Sequence, residues 1–219
     1  VNVFEAARYA GLDRVVYASS VAAYGTKEEY DQPLIQPDDP LKPHTLYGVY
    51  KQANESTARV YWWDYELSSI GLRPYVLYGP GRDQGMTSTP TKAMLAAAAG
   101  RPYHITYGGQ AGMQYTDDVA ELFIQAAQTP FKGAEVFNVK GSVVDMAEVV
   151  EAIEKVKPDL KGSITYETNP LPFPAGQDDS RLQALLGSVS YTPLQEGVAA
   201  TIATFEEALA KGLLTRSDL

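Results

Sequence analysis

The chain has 219 residues, 45% hydrophobic and 21% charged, an ordinary globular composition with no apolar run near the ~20 residues a membrane helix needs. Its 18 Lys+Arg against 27 Asp+Glu leave a formal net charge of -9, which speaks against nucleic acid as a partner, because phosphate neutralisation needs clustered cations. Zero cysteines exclude disulfides and thiolate metal sites, and His44 and His104 stand far apart, so no metal site is expected.

Residues 1–11 carry apolar side chains at helical spacing and end at Gly11, a C-terminal cap. The pattern starts at Val1 without an initiator Met or a preceding cap residue, so a segment upstream is expected to have been cut away. There is no basic-then-apolar leader, which points to a cytoplasmic protein. Residues 14–20, Arg-Val-Val-Tyr-Ala-Ser-Ser, predict a buried parallel strand ending in small polar residues. Residues 25–45 are rich in Pro, Asp, Gln and Lys and predict a loop. A long helix is expected over 46–68 and a strand over 70–79, stopped by Gly79-Pro80-Gly81. Further along, helices are expected over 91–99, 117–128, 146–156, 180–186 and 194–211. Strands are expected over 103–107, 135–139 and 163–167, and Gly108 to Gly112 is read as a turn. Strands alternating with helices predict an α/β fold, a mostly parallel sheet covered by helices.

The chemistry concentrates in Tyr47-Gly48-Val49-Tyr50-Lys51, which follows a strand ending in Ser19-Ser20. Tyr47 and Lys51 are four apart, so on a helix they share one face. A free tyrosine titrates near ~10 and is a poor base at neutral pH. A lysine cation fixed beside it favours the phenolate, and a phenol so tuned can pass a proton to or from an alcohol or carbonyl oxygen. A serine at the carboxyl end of a neighbouring parallel strand can hydrogen-bond the same oxygen, at the edge where doubly wound sheets bind ligands. A Tyr-x-x-x-Lys spacing by itself also occurs as a chance surface pair.

Three stretches occur in the order and spacing of extended short-chain dehydrogenases: Val15 to Gly25, Tyr47 to Lys51, and Leu72-Arg73-Pro74-Tyr75-Val76-Leu77-Tyr78-Gly79-Pro80-Gly81-Arg82. The later Tyr115 to Ala120, Phe137-Asn138-Val139 and Asp179-Ser180-Arg181-Leu182 are also similar to that family, which is called the NAD-dependent epimerase/dehydratase family as well. The resemblance implies a Rossmann-like doubly wound parallel sheet lacking its N-terminal strands, with a small C-terminal α/β substrate subdomain. It implies that residues 1–80 are the C-terminal part of an NAD(P)-binding domain. Residues 81–219 would be mainly a substrate-binding subdomain, with returning segments packing on the sheet. By resemblance Ser20 orients substrate, Tyr47 is the general acid/base, and Lys51 grips the nicotinamide ribose and tunes Tyr47. Ala18, Ser19, Pro74, Tyr75 and Val76 are then expected beside the cofactor, NAD or NADP.

No Gly-x-Gly-x-x-Gly turn is found in these residues, so the chain as given is expected to build the nicotinamide half of a site. The edge of the 14–20 strand is expected to be uncovered. Two departures bear on substrate. Nucleotide-sugar members carry an Arg-Asp-aromatic stretch where Ala111 to Tyr115 stand here, and UDP-galactose epimerase has an asparagine at the place of Val76. Arg82 and Arg101 are the cations left to take the missing arginine's part. Gly85-Met86-Thr87-Ser88, Met113-Gln114-Tyr115 and Ile164-Thr165-Tyr166 are instead similar to short-chain-type threonine dehydrogenases and sugar-acid dehydrogenases. That second resemblance implies that Thr87 and Ser88 hold a carboxylate or hydroxyl, with Tyr24 and Ser20 nearby; the alternative is a plain polar loop.

The expected function is thus NAD(P)-dependent oxidoreduction of a secondary alcohol on a sugar, sugar acid or hydroxy amino acid. The alternatives are a nucleotide-sugar epimerase/dehydratase and, in another class, an inactive fragment or binding module. A small molecule is the expected substrate. Asp117-Asp118 and Asp178-Asp179 read as helix caps, and His44 as a solvated loop residue. The Trp62-Trp63 region is expected either in a homodimer contact or in the chain's own core.

Overall fold

The computed structural model describes residues 1–214. In chain order the elements are α1 (Asn2–Tyr9), β1 (Arg14–Ala18), β2 (Leu34–Ile35), α2 (Leu46–Tyr65), β3 (Ser68–Arg73) and β4 (Val76–Tyr78). Next come α3 (Thr89–Ala98), β5 (Tyr103–Ile105), β6 (Gln110–Tyr115), α4 (Thr116–Gln128), β7 (Ala134–Asn138) and β8 (Ser142–Asp145). The last are α5 (Met146–Val156), β9 (Ile164–Tyr166), β10 (Gly176–Gln177), α6 (Ser180–Leu186) and α7 (Leu194–Ala210). Contacts divide them into two units. One comprises Val1–Tyr75, Val119–Lys140 and Pro172–Ser190; the other comprises Val76–Asp118, Gly141–Leu171 and the chain from Tyr191.

The first unit is built on a parallel sheet in the order β1-β3-β7. Ala18 lies opposite Leu72, and Arg73 opposite Asn138, so the three carboxyl ends finish at one edge. β3 is central and buried along its whole length, as a strand covered on both faces must be. Gly71 interrupts its apolar run for a packing reason. The Tyr17 ring lies across it, and a Cβ there would meet Tyr17 Cζ at 2.8 Å. On the helix side Phe4, Ala7, Val15, Ala58, Tyr61 and Leu67 form one core cluster. The Tyr61 hydroxyl donates to Glu5 Oε1 at 2.6 Å and ties α2 to α1. Arg14 opens β1 and turns its guanidinium to the C-terminus of α4, donating to the carbonyls of Ala127 (3.1 Å), Thr129 and Phe131 (3.4 Å). A cation there satisfies orphan carbonyls and complements the helix dipole.

The second unit holds a sheet in the order β4-β6-β8, with β4 parallel and β8 antiparallel to β6, and a separate parallel pair β5-β9. Met94, Ile105, Met113, Met146, Ile153 and Ile202 fill its core. Among the described residues, no helix is long and apolar enough to cross a membrane.

The α/β class and the helices match expectation, and four local readings are corrected. The strand expected over 70–79 is two strands in different sheets, because Pro74 has no N–H to continue a ladder and restrains Arg73 before it. The expected turn at Gly108 to Gly112 is confined to its start: Gly109 has φ +68°, and Gln110 already begins β6. β8, which pairs with β6, was not expected at all. The 25–45 loop contains β2, which pairs with β10.

Candidate active site

At the carboxyl edge of the first unit's sheet, β1 stops at Ala18 but the chain stays bonded to its neighbour. Ser19 N–H donates to Leu72 O at 2.7 Å, and Val21 N–H to Pro74 O at 3.0 Å. Ser20 lies between these two ties. Its Oγ accepts from Ala22 N–H at 3.1 Å and caps a 3₁₀ turn, Val21–Ala23. That uses an acceptor position and leaves the hydroxyl proton able to donate.

α2 begins beside this turn. Thr45 caps it by accepting from Gly48 N–H at 3.0 Å. The first turn of the helix packs against the Ala22 carbonyl so closely that a Cβ on Gly48 would stand 2.0 Å from it. Gly48 is therefore the residue that lets Tyr47 approach the Ser20 turn. Tyr47 is 56% exposed. Lys51, one helical turn on, donates to Ala18 O at 2.8 Å, and its Nζ lies 5.4 Å from the Tyr47 ring centroid. An ammonium carries three protons, so this bond leaves two for another acceptor. The structure thus brings Ala18, Ser19, Ser20, Tyr47, Lys51 and Pro74 to one sheet edge.

The other expected residues have these surroundings. Tyr24 was expected beside substrate, but it is fully buried and its hydroxyl donates to Asn138 Oδ1 at 2.9 Å while accepting from Arg73 at 2.5 Å. Its hydroxyl is thus engaged within the fold. Tyr75 is buried, edge-on to Phe173. Val76, Thr87 and Ser88 belong to the second unit. Ser88 is buried and donates to Gly85 O at 2.8 Å, so its hydroxyl serves its own loop. Thr87 is half-buried and accepts from Arg82 at 2.9 Å.

Beneath the edge lies a polar network that carried no role in the sequence reading. Glu55, one turn after Lys51, accepts from Ser19 Oγ and takes a bidentate pair from Arg73, Nε to Oε1 at 2.8 Å and an Nη to Oε2 at 2.7 Å. The other Nη of Arg73 reaches Tyr24 and, at 3.3 Å, Asn138 Oδ1. Gln177 Nε2 donates to the carbonyls of Arg73 (2.9 Å) and Val139 (3.0 Å). Burial works against the Arg73 charge, but its hydrogen bonds to Glu55 together with the electrostatic pull of Tyr24, Glu55 and Tyr17 outweigh it and hold the guanidinium above its ordinary pKa. Burial also pushes the Tyr24 phenol up, against the pull of Arg73. Its spacing, four after Lys51, puts Glu55 on the same side of α2 but does not by itself show that the carboxylate is buried.

The remaining polar residues have local duties. Asp118 accepts from Thr192 N–H and Oγ1, each at 2.7 Å. Asp178 accepts from Ser180 N–H at 3.1 Å, and Asp179 from Gln183 at 2.8 Å. His44 pairs with Glu29 at 2.8 Å on the surface. Among the described residues, no three His, Asp or Glu side chains gather as metal ligands would.

Comparison with known proteins agrees with this geometry. Residues 1–139 match the NAD dependent epimerase/dehydratase family. The UDP-glucose 4-epimerase of Mycolicibacterium smegmatis is 29% identical over 220 residues, covering 94% of this chain and 66% of that protein. A partial consensus L-threonine 3-dehydrogenase superposes with a TM-score of 0.83 at 26% identity, over 94% of this chain and 69% of the other. MoeE5 in complex with UDP-glucuronic acid and NAD superposes with a TM-score of 0.77 at 29% identity, over the same shares, 94% and 69%. The chain spans 64% and 47% of the length of the curated relatives that head the comparison, from Escherichia coli O111:H- and Methanocaldococcus jannaschii.

Proposed function

This chain belongs to the NAD dependent epimerase/dehydratase family, and we propose that it acts as an NAD(P)-dependent oxidoreductase on a secondary alcohol of a sugar, sugar acid or hydroxy amino acid. The observation that carries this reading is the Tyr47–Lys51 pair, one helical turn apart, with the ammonium anchored on Ala18 O at 2.8 Å beside the exposed phenol. Tyr47 transfers a proton at its phenol oxygen, to or from the substrate oxygen. Lys51 stabilises the phenolate by its charge. Ser20 donates its free hydroxyl proton to that same oxygen and fixes its position. Lys51 is also suited to a ribose diol, through the two protons that Ala18 does not use, with Ala18, Ser19 and Pro74 at the same sheet edge; we assign Tyr75 and Val76 to the cofactor as well. A bound nicotinamide would supply the hydride exchange. We assign cofactor holding to the first unit, and substrate holding to the second unit through Thr87 with Arg82.

A second reading is a nucleotide-sugar epimerase, favoured by the likeness to the M. smegmatis UDP-glucose 4-epimerase and to MoeE5. We also propose a cytoplasmic homodimer. Val3 on α1 (69% exposed) and Tyr50, Val60 and Trp63 on α2 (65%, 44% and 72%) supply an apolar surface for a second copy.

The test is turnover with free NAD or NADP. Net NADH supports the dehydrogenase, and product without net NADH supports the epimerase. Calorimetric titration that detects neither cofactor supports the inactive module. Tyr47→Phe is expected to abolish turnover with the thermal midpoint unchanged, and an active variant would refute the role given to Tyr47.

A further inference from the structure

Three consecutive residues at the end of β1 are held in three ways. Lys51 takes the Ala18 carbonyl, Glu55 takes the Ser19 hydroxyl, and the Ser20 hydroxyl closes its own turn. Lys51 and Glu55 are one turn apart on α2, so the helix grips adjacent residues of the strand end with adjacent rungs. The second rung is itself clamped. Arg73, the last residue of β3, meets Glu55 with both arms of its fork and meets Tyr24 and Asn138 with its remaining arm. One guanidinium thus joins α2 to the ends of β3 and β7 and to the segment that follows the Ser20 turn.

Packing strength alone does not account for this arrangement. The two side chains are only 8% and 3% exposed, and desolvating such a pair offsets most of its attraction. An apolar pair of equal volume often holds a core as well or better. Apolar contact is non-directional, however, and lets a helix slide along its axis or roll. A bidentate fork has one geometry. We infer that Glu55 and Arg73 are positioning residues, whose ion pair sets α2 along its axis against the sheet edge and thereby places Lys51 against Ala18 and holds Ser20 in line with Tyr47. The inference rests on the proposed roles of Ser20, Tyr47 and Lys51.

The discriminating variant is the apolar double substitution Glu55→Met with Arg73→Met, made in the full chain. Its thermal midpoint is expected within a few degrees of the wild type, since no unpaired charge stays buried while the Ser19 hydroxyl and the Tyr24–Asn138 pair each lose one hydrogen bond. Amide exchange at Ser19, Val21 and Ala22, whose N–H groups bond Leu72 O, Pro74 O and Ser20 Oγ, is expected to quicken by about 10-fold or more. Exchange in β6 should stay unchanged. The kcat should fall about 10- to 100-fold with KM within about 3-fold, because geometry rather than binding is lost. A stable double variant with wild-type exchange and wild-type kcat overturns the inference. Should the double variant not fold, Arg73→Lys keeps the charge and gives up the fork; the same losses are expected, and wild-type values again overturn it. A wild-type chain without turnover would sink the proposed function, and the exchange arm would still decide the positioning role.

Discussion

Gly48→Ala tests how closely α2 must approach the Ser20 turn. On the present backbone the new Cβ would lie 2.0 Å from Ala22 O, 2.9 Å from Pro43 Cβ and 3.0 Å from Ala22 C. Ordinary contact begins near 3.4 Å, so the first turn of the helix must retreat by 3.4 − 2.0, or 1.4 Å. The nearest atom is a main-chain oxygen and Pro43 Cβ belongs to a closed ring, so no change of rotamer relieves them. Two stability effects oppose each other. Alanine gains about 1 kcal/mol over glycine inside a helix, while overpacking costs about 1–3 kcal/mol. The net loss is therefore at most about 2 kcal/mol, or roughly 8 °C in thermal midpoint for a chain of this size. Activity responds far more strongly, since a displacement of about 1 Å between reacting groups can cost ~100-fold. Calorimetry and steady-state turnover followed by cofactor absorbance measure both. The expected result is a modestly less stable protein with kcat about 100-fold lower and KM little changed. A variant with the kcat and thermal midpoint of the wild type would show that the contact does not set the Tyr47 position.

Two further outcomes follow from α1 and α4. Arg14→Ala strips the C-terminal carbonyls of α4 of their cation and should cost about 1–2 kcal/mol in urea unfolding; an unchanged midpoint would contradict the capping role. The hydrogen bond to the Glu5 carboxylate, aided by burial, pushes the Tyr61 phenol up to about 12 from its usual 10. Its folded value lies above its unfolded one, so the stabilisation is complete below pH 10 and lost as pH rises through about 12. The Glu5 carboxyl is held below its ordinary 4.5 by its hydrogen bonds to Arg8 and Tyr61, so its share is present above that value and lost on acidification through the lower one. Melts across the pH range should show a smaller alkaline loss in Tyr61→Phe than in wild type, the remainder coming from buried phenols such as Tyr24; parallel alkaline curves would rule the link out.

Helices were legible because their apolar period extends over several turns: α5 and α6 fall at Met146–Val156 and Ser180–Leu186, on the expected residues. Short strands were not. β2 and β10 have two residues each, and β6 contains Gly112 and no alternation, so neither period nor composition marks them. The Tyr47–Lys51 spacing and the serine at a strand end were readable because each depends on local sequence. The burial of Tyr24 was illegible for the opposite reason. Its partners, Arg73 and Asn138, lie 49 and 114 residues away, and only the assembled sheet brings them to its hydroxyl. The Glu55–Arg73 pair spans 18 residues and two elements, and nothing local says that both charges point inward.

Gln177 closes the backbone at the sheet edge from far downstream, 104 residues after Arg73 and 38 after Val139. During translation β1, α2, β3 and β7 leave the ribosome before β10 and can assemble with their internal charges already matched. The carbonyls of Arg73 and Val139 gain this donor only once β10 has emerged. A nascent chain arrested near Lys140 would hold Ser20, Tyr47 and Lys51 yet lack the amide that seals their floor. The backbone at this edge is thus completed only once β10 has been made, well after the side chains of Ser20, Tyr47 and Lys51.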